Sequence, residues 1–537
     1  MKAIILFTFF LSSSLAFAQR DALVFFTDKA RVNTYLASPQ TMLTKKALDR
    51  KEQHGTPLDA RDVPVNEIYI SALKNSDGIQ VLAKSKWMNC AFVNGSRENI
   101  QNLLNLNFIS TIEFANSAQN IANIELTHIP KLYIQSERVN YNYGSALNQT
   151  EMIAIDKLHM QDFLGEGMII AIMDSDFPNI AENPAFSGLN VQNRLLGTYD
   201  FVNRQKNVNG TGTHGSEVLS DMAGNLSNTF MGTAPEASYY LFRTEFAPTE
   251  NPVEEAWWVE ALERADSLGV DVVNTSLGYR DFDDPTYNHS YQNLDGQTTI
   301  SARGANIAFE KGLLIVTSAG NGGQGNFKTV ATPADSPNVL SIGAVDASGS
   351  YAQFSSIGPT VDGRVKPDVM AQGKATAVVD TSGQIDFVNG TSFSSPIIAG
   401  AVACLWQALP TLNNFEIMKL VRESASQFQN PTDEMGYGIP DFEMALNNGQ
   451  LLTNENKLLQ EEFVLYGNPV ENSLTISLPK QILEGEVQFF DLLGQEVMIA
   501  KLTSPINRID VSQLTIGIYI ALVSSGDKVT TFKVIKK

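Results

Sequence analysis

The chain has 537 residues, of which 43% are hydrophobic and 18% are charged, a balance typical of core-forming globular proteins. At roughly 100–200 residues per domain, this length predicts three or four domains. Acidic residues number 58 against 38 basic ones, and the formal net charge of −20 excludes nucleic acid and anionic membrane as principal partners.

The first 18 residues have the pattern of an export signal. Lys2 supplies a positive charge, residues 3–11 form a short apolar run, and Ala16-Phe17-Ala18 is a small-x-small cleavage site. The run is too short to span a bilayer comfortably, and no later stretch is apolar for long enough to be a transmembrane helix. We predict a cleaved signal peptide over residues 1–18 and a secreted or cell-surface protein. An uncleaved anchor is the alternative.

Residues 19–140 are predicted to form an α+β domain. Strands are expected over 22–27, 68–70, 87–93 and 108–114, and a helix over 98–104. No catalytic pattern occurs in this part of the sequence. The polar residues 140–145 then predict an exposed processing site.

Residues 145–448 alternate apolar strands with helices. Continuous apolar runs, typical of buried parallel strands, cover 168–173, 270–273 and 313–316. Helices are predicted over 254–268 and 299–311. This alternation predicts an α/β fold with a doubly wound parallel sheet.

The end of the chain changes pattern twice. Residues 449–461 are polar and predict a linker. Residues 462–537 predict a small β-sandwich, because short strands alternate with turn residues there. The predicted strands cover 474–478, 487–491, 508–511, 518–523 and 530–535.

The cysteine content excludes a disulfide scaffold. Cys90 and Cys404 are the only cysteines, and they lie in different predicted domains. Cys404 stands in an apolar stretch and is predicted to be a small buried thiol. Neither CxxC nor HExxH occurs, so the sequence offers no site for metal catalysis.

Three polar residues stand where a doubly wound sheet assembles its sites. Asp174 directly follows the buried run 168–173, and His214 begins a predicted helix after a glycine-rich turn. Ser392 lies at the start of a third apolar helix, with Pro396 near its first turn. Each has a structural alternative: a turn-capping aspartate, a structural histidine and a helix N-cap serine. A helix N-terminus would also favour negative charge developing at Ser392.

In the chain order Asp, His, Ser these segments resemble the signature blocks of subtilisin-like serine proteases. Residues 273–278, 317–321 and 355–373 are similar to three further blocks of that family, in family order. The resemblance covers roughly 280 residues and implies a secreted serine endopeptidase that hydrolyses peptide bonds in proteins. A non-catalytic binding protein on the same scaffold and an esterase or lipase are the rivals. The first needs a broken triad, and the second calls for GxSxG.

The resemblance also implies roles for individual residues. Ser392 would attack the scissile carbonyl, His214 would act as general base and then acid, and Asp174 would orient the imidazole. Asn321 and the Ser392 backbone N–H would stabilise the oxyanion. Substrate would bind along the residues Ser276, Leu277, Gly278, Ala319 and Gly320. No cofactor is required by this chemistry, and no metal ligand is assigned, although structural calcium is common among relatives.

Three residues depart from the family pattern. Asp176 stands where glycine is usual, Glu217 where many members have a second histidine, and Phe393 where methionine is usual. None of them removes an atom of the predicted triad. Asp176 is expected to add negative charge near His214 and so to raise the pKa of that histidine.

The flanking domains carry weaker resemblances. Residues 19–140 resemble the propeptide of this protease class, a partner that would chaperone folding, inhibit temporarily and be removed by self-cleavage. A permanent accessory domain is the alternative. From Phe463 onward the chain is similar to the type IX secretion sorting domain of Bacteroidetes, which implies the secretion machinery as a partner. The matching segments are 466–469, where Gly467 replaces the usual proline, 490–497 and 517–519. A generic binding sandwich, for example for carbohydrate, is the alternative.

Overall fold

The computed structural model describes residues 19–115 and 141–537, except residues 462, 467–469, 471, 480, 481, 483, 493, 505 and 527. The predicted signal peptide and residues 116–140 therefore lie outside the described residues. The chain divides into two compact units between Asn447 and Asn448. Among the described residues, every helix is too short or too polar to cross a bilayer.

The N-terminal domain is an antiparallel sheet with helices, which confirms the predicted α+β class. Its four strands are ordered β2-β3-β1-β4. One face of the sheet packs on its own helices, and the other contributes Leu23, Ala83 and Phe92 to a core shared with the next domain. The elements are β1 Gln19–Phe26, α1 Val32–Ala37, α2 Lys45–Gln53, α3 Glu67–Lys74, β2 Ile79–Ser85, β3 Cys90–Ser96, α4 Arg97–Asn102 and β4 Ile109–Phe114.

Two strand predictions in this domain are corrected. Residues 68–70 belong to α3, which Asn66 caps by accepting a hydrogen bond from the backbone N–H of Ile68. Ile70 and Leu73, three residues apart, bury one face of this helix, so the helical period outweighs the short apolar run. Trp87 lies in the turn before β3 rather than in the strand, which begins at Cys90.

The middle of the chain forms a seven-stranded, wholly parallel sheet in the order β13-β12-β11-β10-β5-β9-β6. This confirms the predicted doubly wound fold. The elements are α5 Leu147–Glu151, α6 Asp156–His159, β5 Ile169–Asp174, α7 Ser187–Val191, β6 Leu195–Asp200, α8 His214–Ala223, β7 Asn225–Leu226, β8 Phe230–Met231, β9 Ser238–Arg243, α9 Val253–Leu268, β10 Val272–Thr275, α10 Ile300–Glu310, β11 Leu314–Ser318, β12 Val339–Val345, β13 Val369–Gln372, β14 Lys374–Val379, β15 Ile385–Asn389, α11 Thr391–Ala408, α12 Asn414–Glu423 and α13 Phe442–Glu461.

The central strand β5 shows why its sequence is apolar throughout. Ile170 and Ile172 point into the core beneath α8 and α11, whereas Ile169, Ala171 and Met173 point into the core beneath α9 and α10. Because both faces are covered, alternate residues are buried on opposite sides of the sheet. The strand therefore ends at a buried position, and that position is Asp174.

Two further segments differ from expectation. Residues 449–461, predicted as a linker, are the second half of helix α13. Within the polar segment predicted to be an exposed processing site, Tyr143 is buried and its hydroxyl lies 2.9 Å from His159 Nδ1. The His159 ring stacks on Tyr143 and helps to cover it, so the prediction of exposure is wrong at this residue.

The C-terminal unit is a β-sandwich, as predicted. A three-stranded sheet ordered β16-β17-β20 and a four-stranded sheet ordered β19-β18-β21-β22 share one apolar core. The described residues add β16 and β19 to the five strands expected from the sequence. The elements are β16 Val464–Tyr466, β17 Ser473–Ser477, β18 Gly485–Phe490, β19 Glu496–Leu502, β20 Ile506–Asp510, β21 Gly517–Ser525 and β22 Lys528–Lys536.

Candidate active site

The carboxyl end of β5 brings an aspartate and a histidine into contact. Asp174 is fully buried, and its Oδ1 lies 2.8 Å from His214 Nδ1. The same oxygen accepts a hydrogen bond from the backbone N–H of Ser175, also at 2.8 Å. A carboxylate held in this way fixes the orientation of the imidazole and leaves its Nε2 as the available proton acceptor.

The histidine is positioned by the first turn of α8. The helix begins at His214, and Ser216 donates a hydrogen bond to the carbonyl of Pro178 at 2.8 Å, which ties the helix to the loop after β5. The imidazole packs against the Phe393 ring, with centroids 5.5 Å apart. Its side chain remains 35% exposed, so a reactant can reach it.

The pKa of His214 is raised above its ordinary value. Burial lowers the pKa, but the charge and hydrogen bond of Asp174 and the charge of Glu217 together outweigh it. Asp176, which was expected to raise this pKa as an unbalanced charge, instead has a counterion: Arg243 Nε lies 2.8 Å from its Oδ1. That expectation is therefore wrong in its premise, and Glu217 is the further acid that raises the pKa.

Ser392 lies in the first turn of α11, facing the residues that follow β10. Its hydroxyl donates to the carbonyl of Ser276 at 3.2 Å, and Ser276 Oγ donates to the carbonyl of Ser392 at 2.7 Å. Within the described parts of the chain, the Ser392 hydroxyl makes no hydrogen bond to His214. Such bonds are often long without substrate and tighten only in the reacting complex.

Asn321 is held with its amide nitrogen free to donate. Its Oδ1 accepts hydrogen bonds from the Thr391 backbone N–H at 2.9 Å and from the Thr391 hydroxyl at 3.1 Å. Because a backbone N–H must meet an oxygen, this contact fixes which end of the amide is which. A Cβ placed on Gly390 would lie 3.7 Å from Asn321 Nδ2, so the amide nitrogen faces the turn that leads to Ser392.

A groove of about 400 Å³ runs past these residues. Six residues predicted at the site line it: Ser392, Asn321, Gly320, Gly278, Leu277 and Ser276. The arrangement combines a hydroxyl, an amide donor and exposed backbone along one open channel, which suits an extended polymer better than a compact ligand.

Ala319 does not lie in the groove. Its side chain is fully buried against Val330 and Ala334, and its backbone N–H donates to the carbonyl of Ile342 at 2.9 Å. The prediction that Ala319 binds substrate is therefore corrected: its side chain packs the end of β11, whereas Ser318 and Gly320 on either side of it line the groove.

Several groove residues have no signal in the sequence patterns. Glu250, Arg280 and Asp281 line the channel from loops, and Arg280 is held by Asp281 at 2.6 Å. Thr391 also lines it and supports Asn321. Only Thr391 could have been anticipated, since it belongs to the Gly-Thr-Ser motif before α11. The loop residues come together through the fold alone.

Among the described residues, one acidic group has the spacing of a cation site. Carboxylate oxygens of Glu245, Glu250 and Glu254 lie within 4.8 Å of one another. Burial raises the pKa of Glu245 well above its ordinary value and that of Glu254 to about 7. Tyr279 donates a hydrogen bond to Glu245 at 2.5 Å. Carboxyls that retain protons near neutral pH are poor ligands for hard cations, so this group fits a metal weakly.

Family models match three consecutive parts of the chain. The subtilase family model matches residues 165–438, just over half of the chain. A model of the peptidase S8 propeptide domain of Bacteroidota matches residues 21–128, and a model of the secretion system C-terminal sorting domain matches residues 464–537.

Individual proteins show the same likeness. Subtilisin NAT of Bacillus subtilis subsp. natto and Subtilisin E of Bacillus subtilis are each 29% identical over 302 residues, which covers 56% of this chain and 71% of each relative. The crystal structure of an epidermin leader peptide processing serine protease from Staphylococcus aureus covers 80% of this chain and 98% of its own. Its TM-score of 0.53 at 16% identity indicates a shared fold.

Replacing Glu217 with glutamine should lower the pKa of His214. The substitution removes one of the negative charges that raise this pKa and keeps the size of the side chain. The neutral imidazole then persists to lower pH than in the parent chain. An NMR titration of the His214 ring signals in a Ser392→Ala background, which should retain the N-terminal domain, checks this, with Asp49→Asn on the exposed surface of α2 as the control. An unchanged or higher pKa in Glu217→Gln would contradict the assigned cause.

Proposed function

The chain belongs to the subtilase family, and from that premise we propose that Asp174, His214 and Ser392 are the catalytic triad of this serine endopeptidase. The observation that carries the proposal is the 2.8 Å contact between the buried Asp174 carboxylate and His214, whose ring packs on Phe393, the residue that follows the groove-lining Ser392. A structural histidine would not need a buried anion on one nitrogen and partial solvent exposure of its ring.

The reaction begins at the Ser392 hydroxyl. When a peptide occupies the groove, the hydroxyl turns from the Ser276 carbonyl toward His214, whose Nε2 takes its proton as Ser392 Oγ attacks the scissile carbonyl. Asp174 keeps Nδ1 protonated and stabilises the imidazolium. The proton then passes to the leaving amine, and water repeats the sequence on the acyl-enzyme, with His214 again acting first as base.

Two donors stabilise the tetrahedral oxyanion in this proposal. One is Asn321 Nδ2, whose orientation is fixed because Thr391 bonds to the oxygen of the same amide, and which has no acceptor among the residues that the structure describes. The other is the backbone N–H of Ser392, at the start of α11, where the first N–H groups of a helix lack partners within the helix. Both are in place before reaction, so little reorganisation is needed as negative charge develops.

Substrate binds as an added strand along Ser276, Leu277 and Gly278 in this proposal. These residues continue from β10 into the groove, and Gly320 stands on its other wall. Backbone hydrogen bonds of this kind hold an extended peptide irrespective of its sequence, while the walls select side chains. Glu250, Arg280 and Asp281 are the charged residues in a position to make that selection.

The N-terminal domain is the chain's own propeptide, and we propose that it assists folding, inhibits temporarily and is removed by self-cleavage. Its sheet packs on α9 through hydrogen bonds from Ser85 Oγ and the Trp87 N–H to the buried Glu263 carboxylate, at 2.5 and 2.9 Å. Arg50 and Lys51 both contact the buried Asp266. Glu263 and Asp266 on α9 thus have these partners only while the N-terminal domain is present.

The proposed chemistry needs no cofactor. Nucleophile, base and oxyanion donors are all side-chain or backbone groups of the chain, and structural calcium remains unassigned. In the casein assay described below, dialysis against EDTA should leave the rate unchanged. Loss of activity that calcium restores would instead give a metal a role in holding the site together.

The C-terminal sandwich is a sorting domain, which implies secretion or display at the cell surface. We further propose that the type IX machinery is its partner and that residues 1–18 are a cleaved signal peptide. The two signals would act in succession, the first for passage across the inner membrane and the second for exit from the cell.

Replacing Ser392 with alanine should abolish both processing and proteolysis. Wild type is expected to lose its N-terminal domain on purification and to cleave casein, whereas Ser392→Ala persists at full length and leaves casein intact, because the nucleophile is absent. Gel electrophoresis with intact-mass analysis measures both. Ser382→Ala, an exposed serine in the turn between β14 and β15, serves as the matched control. Identical processing and no casein cleavage by either chain would favour a non-catalytic binding protein.

Replacing Asn321 with alanine should lower kcat by about 10²–10³ with little change in KM, because the amide acts mainly in the transition state. Asn321→Asp separates the two roles of this side chain. Aspartate keeps the oxygen that Thr391 requires but lacks the amide donor, so it should lose as much activity as alanine or more. Near-normal steady-state kinetics of Asn321→Asp would show that the residue only supports Thr391.

Deleting residues 463–537 should retain the protease inside the cell. Expressed in a Bacteroidota host that carries the secretion system, the shortened chain is expected in the cell fraction and the full chain in the medium or on the surface, by immunoblot. Fusion of residues 463–537 to an unrelated exported carrier should redirect that carrier. Equal export of the full and shortened chains would assign the sandwich another role, such as carbohydrate binding.

A further inference from the structure

The side chain of Asp176 is enclosed by the turn that leads into α8. Its Oδ2 accepts a hydrogen bond from the backbone N–H of Gly212 at 3.0 Å. A Cβ added to Gly210 would lie 2.0 Å from Asp176 Oδ1, and one added to Gly215 would lie 2.6 Å from the Asp176 carbonyl oxygen. Glycine is therefore required at these two positions, because any side chain there would collide with the buried Asp176.

Arg243 supplies the opposite charge from the neighbouring strand. Its Nε lies 2.8 Å from Asp176 Oδ1, as an ion pair rather than a well-aligned hydrogen bond, and its Nη1 lies 3.1 Å from Asp200 Oδ2. Asp200 is fixed in turn by the backbone N–H groups of Val202 and Asn203. Arginine and both carboxylates are buried, so each charge depends on the others.

This group is in register with the catalytic aspartate. Arg243 pairs with Asp174 across β5 and β9, and with Asp200 across β6 and β9. The next residue, Thr244, donates its backbone N–H to the Asp174 carbonyl at 3.0 Å. Asp176 lies two residues after Asp174, and Gly212 lies two residues before His214. One carboxylate therefore connects the segments that carry the two catalytic groups.

We propose that Asp176, held by Arg243, is a positioning residue that sets His214 against Asp174. The inference rests on the proposed function of the triad. The ion pair with Arg243 fixes the Asp176 carboxylate beside the end of β5. That carboxylate accepts the Gly212 N–H and so fixes the turn that leads into α8 and His214. A glycine at position 176 has no side chain and could not make these contacts with Gly212 and Arg243.

The proposal predicts a graded loss of kcat. Asp176→Ala removes the acceptor for Gly212 and the partner of Arg243, and a displaced general base should lower kcat by about 10², with KM nearly unchanged because the groove is lined by other residues. Asp176→Asn keeps an acceptor oxygen but not the charge and should lose about tenfold. Arg243→Met should resemble Asp176→Asn. All are measured by steady-state hydrolysis of a chromogenic peptide.

Two readouts separate positioning from general destabilisation. The charged groups that act on His214 are Asp174 and Glu217, and Asp174 in turn faces Glu245, while Asp176 is paired with Arg243. Asp176→Asn removes one negative charge while Arg243 stays paired with Asp200, and should move the acid limb of kcat/KM to lower pH. Arg243→Met leaves both Asp176 and Asp200 without their counterion and should move the acid limb to higher pH. The triple variant Asp176→Asn, Arg243→Gln and Asp200→Asn should recover part of the kcat lost in Arg243→Met, because none of the three buried charges is then left unpaired.

Asp368→Asn is the matched control. Asp368 is also a buried aspartate with two cationic partners, Lys366 at 2.7 Å and Arg422 at 2.8 Å, but it adjoins β13 at the far edge of the sheet. Asp368→Asn should lower the thermal unfolding midpoint, which is measured in a Ser392→Ala background to prevent self-digestion. In the active chain, Asp368→Asn should leave kcat unchanged. If Asp176→Ala fails to fold, the kcat and the acid limb of kcat/KM of Asp176→Asn test the positioning role instead.

The outcomes are distinguishable from failure of the triad itself. If wild type hydrolyses neither casein nor the peptide, the proposed function is wrong. If wild type is active and Asp176→Asn and Arg243→Met keep full kcat, or shift the acid limb in the same direction, the positioning role is overturned. Graded loss of kcat with opposite shifts supports it.

Discussion

A buried carboxylate at the end of the central strand is the constraint on which the rest of the structure depends. Asp174 has no exposure to solvent, so its charge must be stabilised by groups of the protein. His214 and the Ser175 backbone provide that stabilisation on one oxygen. The parallel sheet around it is covered on both faces, so its strands end at a dry edge where this contact is strong.

The polar groups beyond the triad form two short chains of hydrogen bonds that converge on α11. Ser395 donates to Asn274 Oδ1, Asn274 donates to Ser276 Oγ, and Ser276 donates to the Ser392 carbonyl. On the other side Thr391 holds Asn321. The proposed nucleophile Ser392 is thus held by the residues at the end of β10, and the proposed oxyanion donor Asn321 is held by Thr391 at the start of α11.

Charge plays a different role at the contact between the N-terminal domain and α9. Asp266 meets Arg50 and Lys51, and Lys311 meets Asp62, all with little exposure. Breaking one side of such a pair typically costs about 3–5 kcal/mol, because the remaining charge stays buried. Once the N-terminal domain is gone, however, the groups on α9 and after α10 face water and are hydrated. A charged interface therefore suits a domain that must bind tightly and then leave.

The sequence by itself determined the class of each domain and the placement of Asp174, His214 and Ser392, because those features are local. A few consecutive residues are enough to recognise a buried apolar run, a glycine-rich turn or the start of a helix. Order along the chain then pointed to the chemistry before any geometry was known.

Only the tertiary structure decided which groups meet. Arg243 neutralises Asp176, Ala319 is buried while Gly320 reaches the groove, and Glu217 raises the pKa of His214. Residues 68–70 are helical rather than extended because Ile70 and Leu73 share one buried face of α3, which the short apolar run at 68–70 does not indicate by itself. Strand register and helix packing bring together residues far apart in the chain, and pairing between side chains follows from that register rather than from any local pattern.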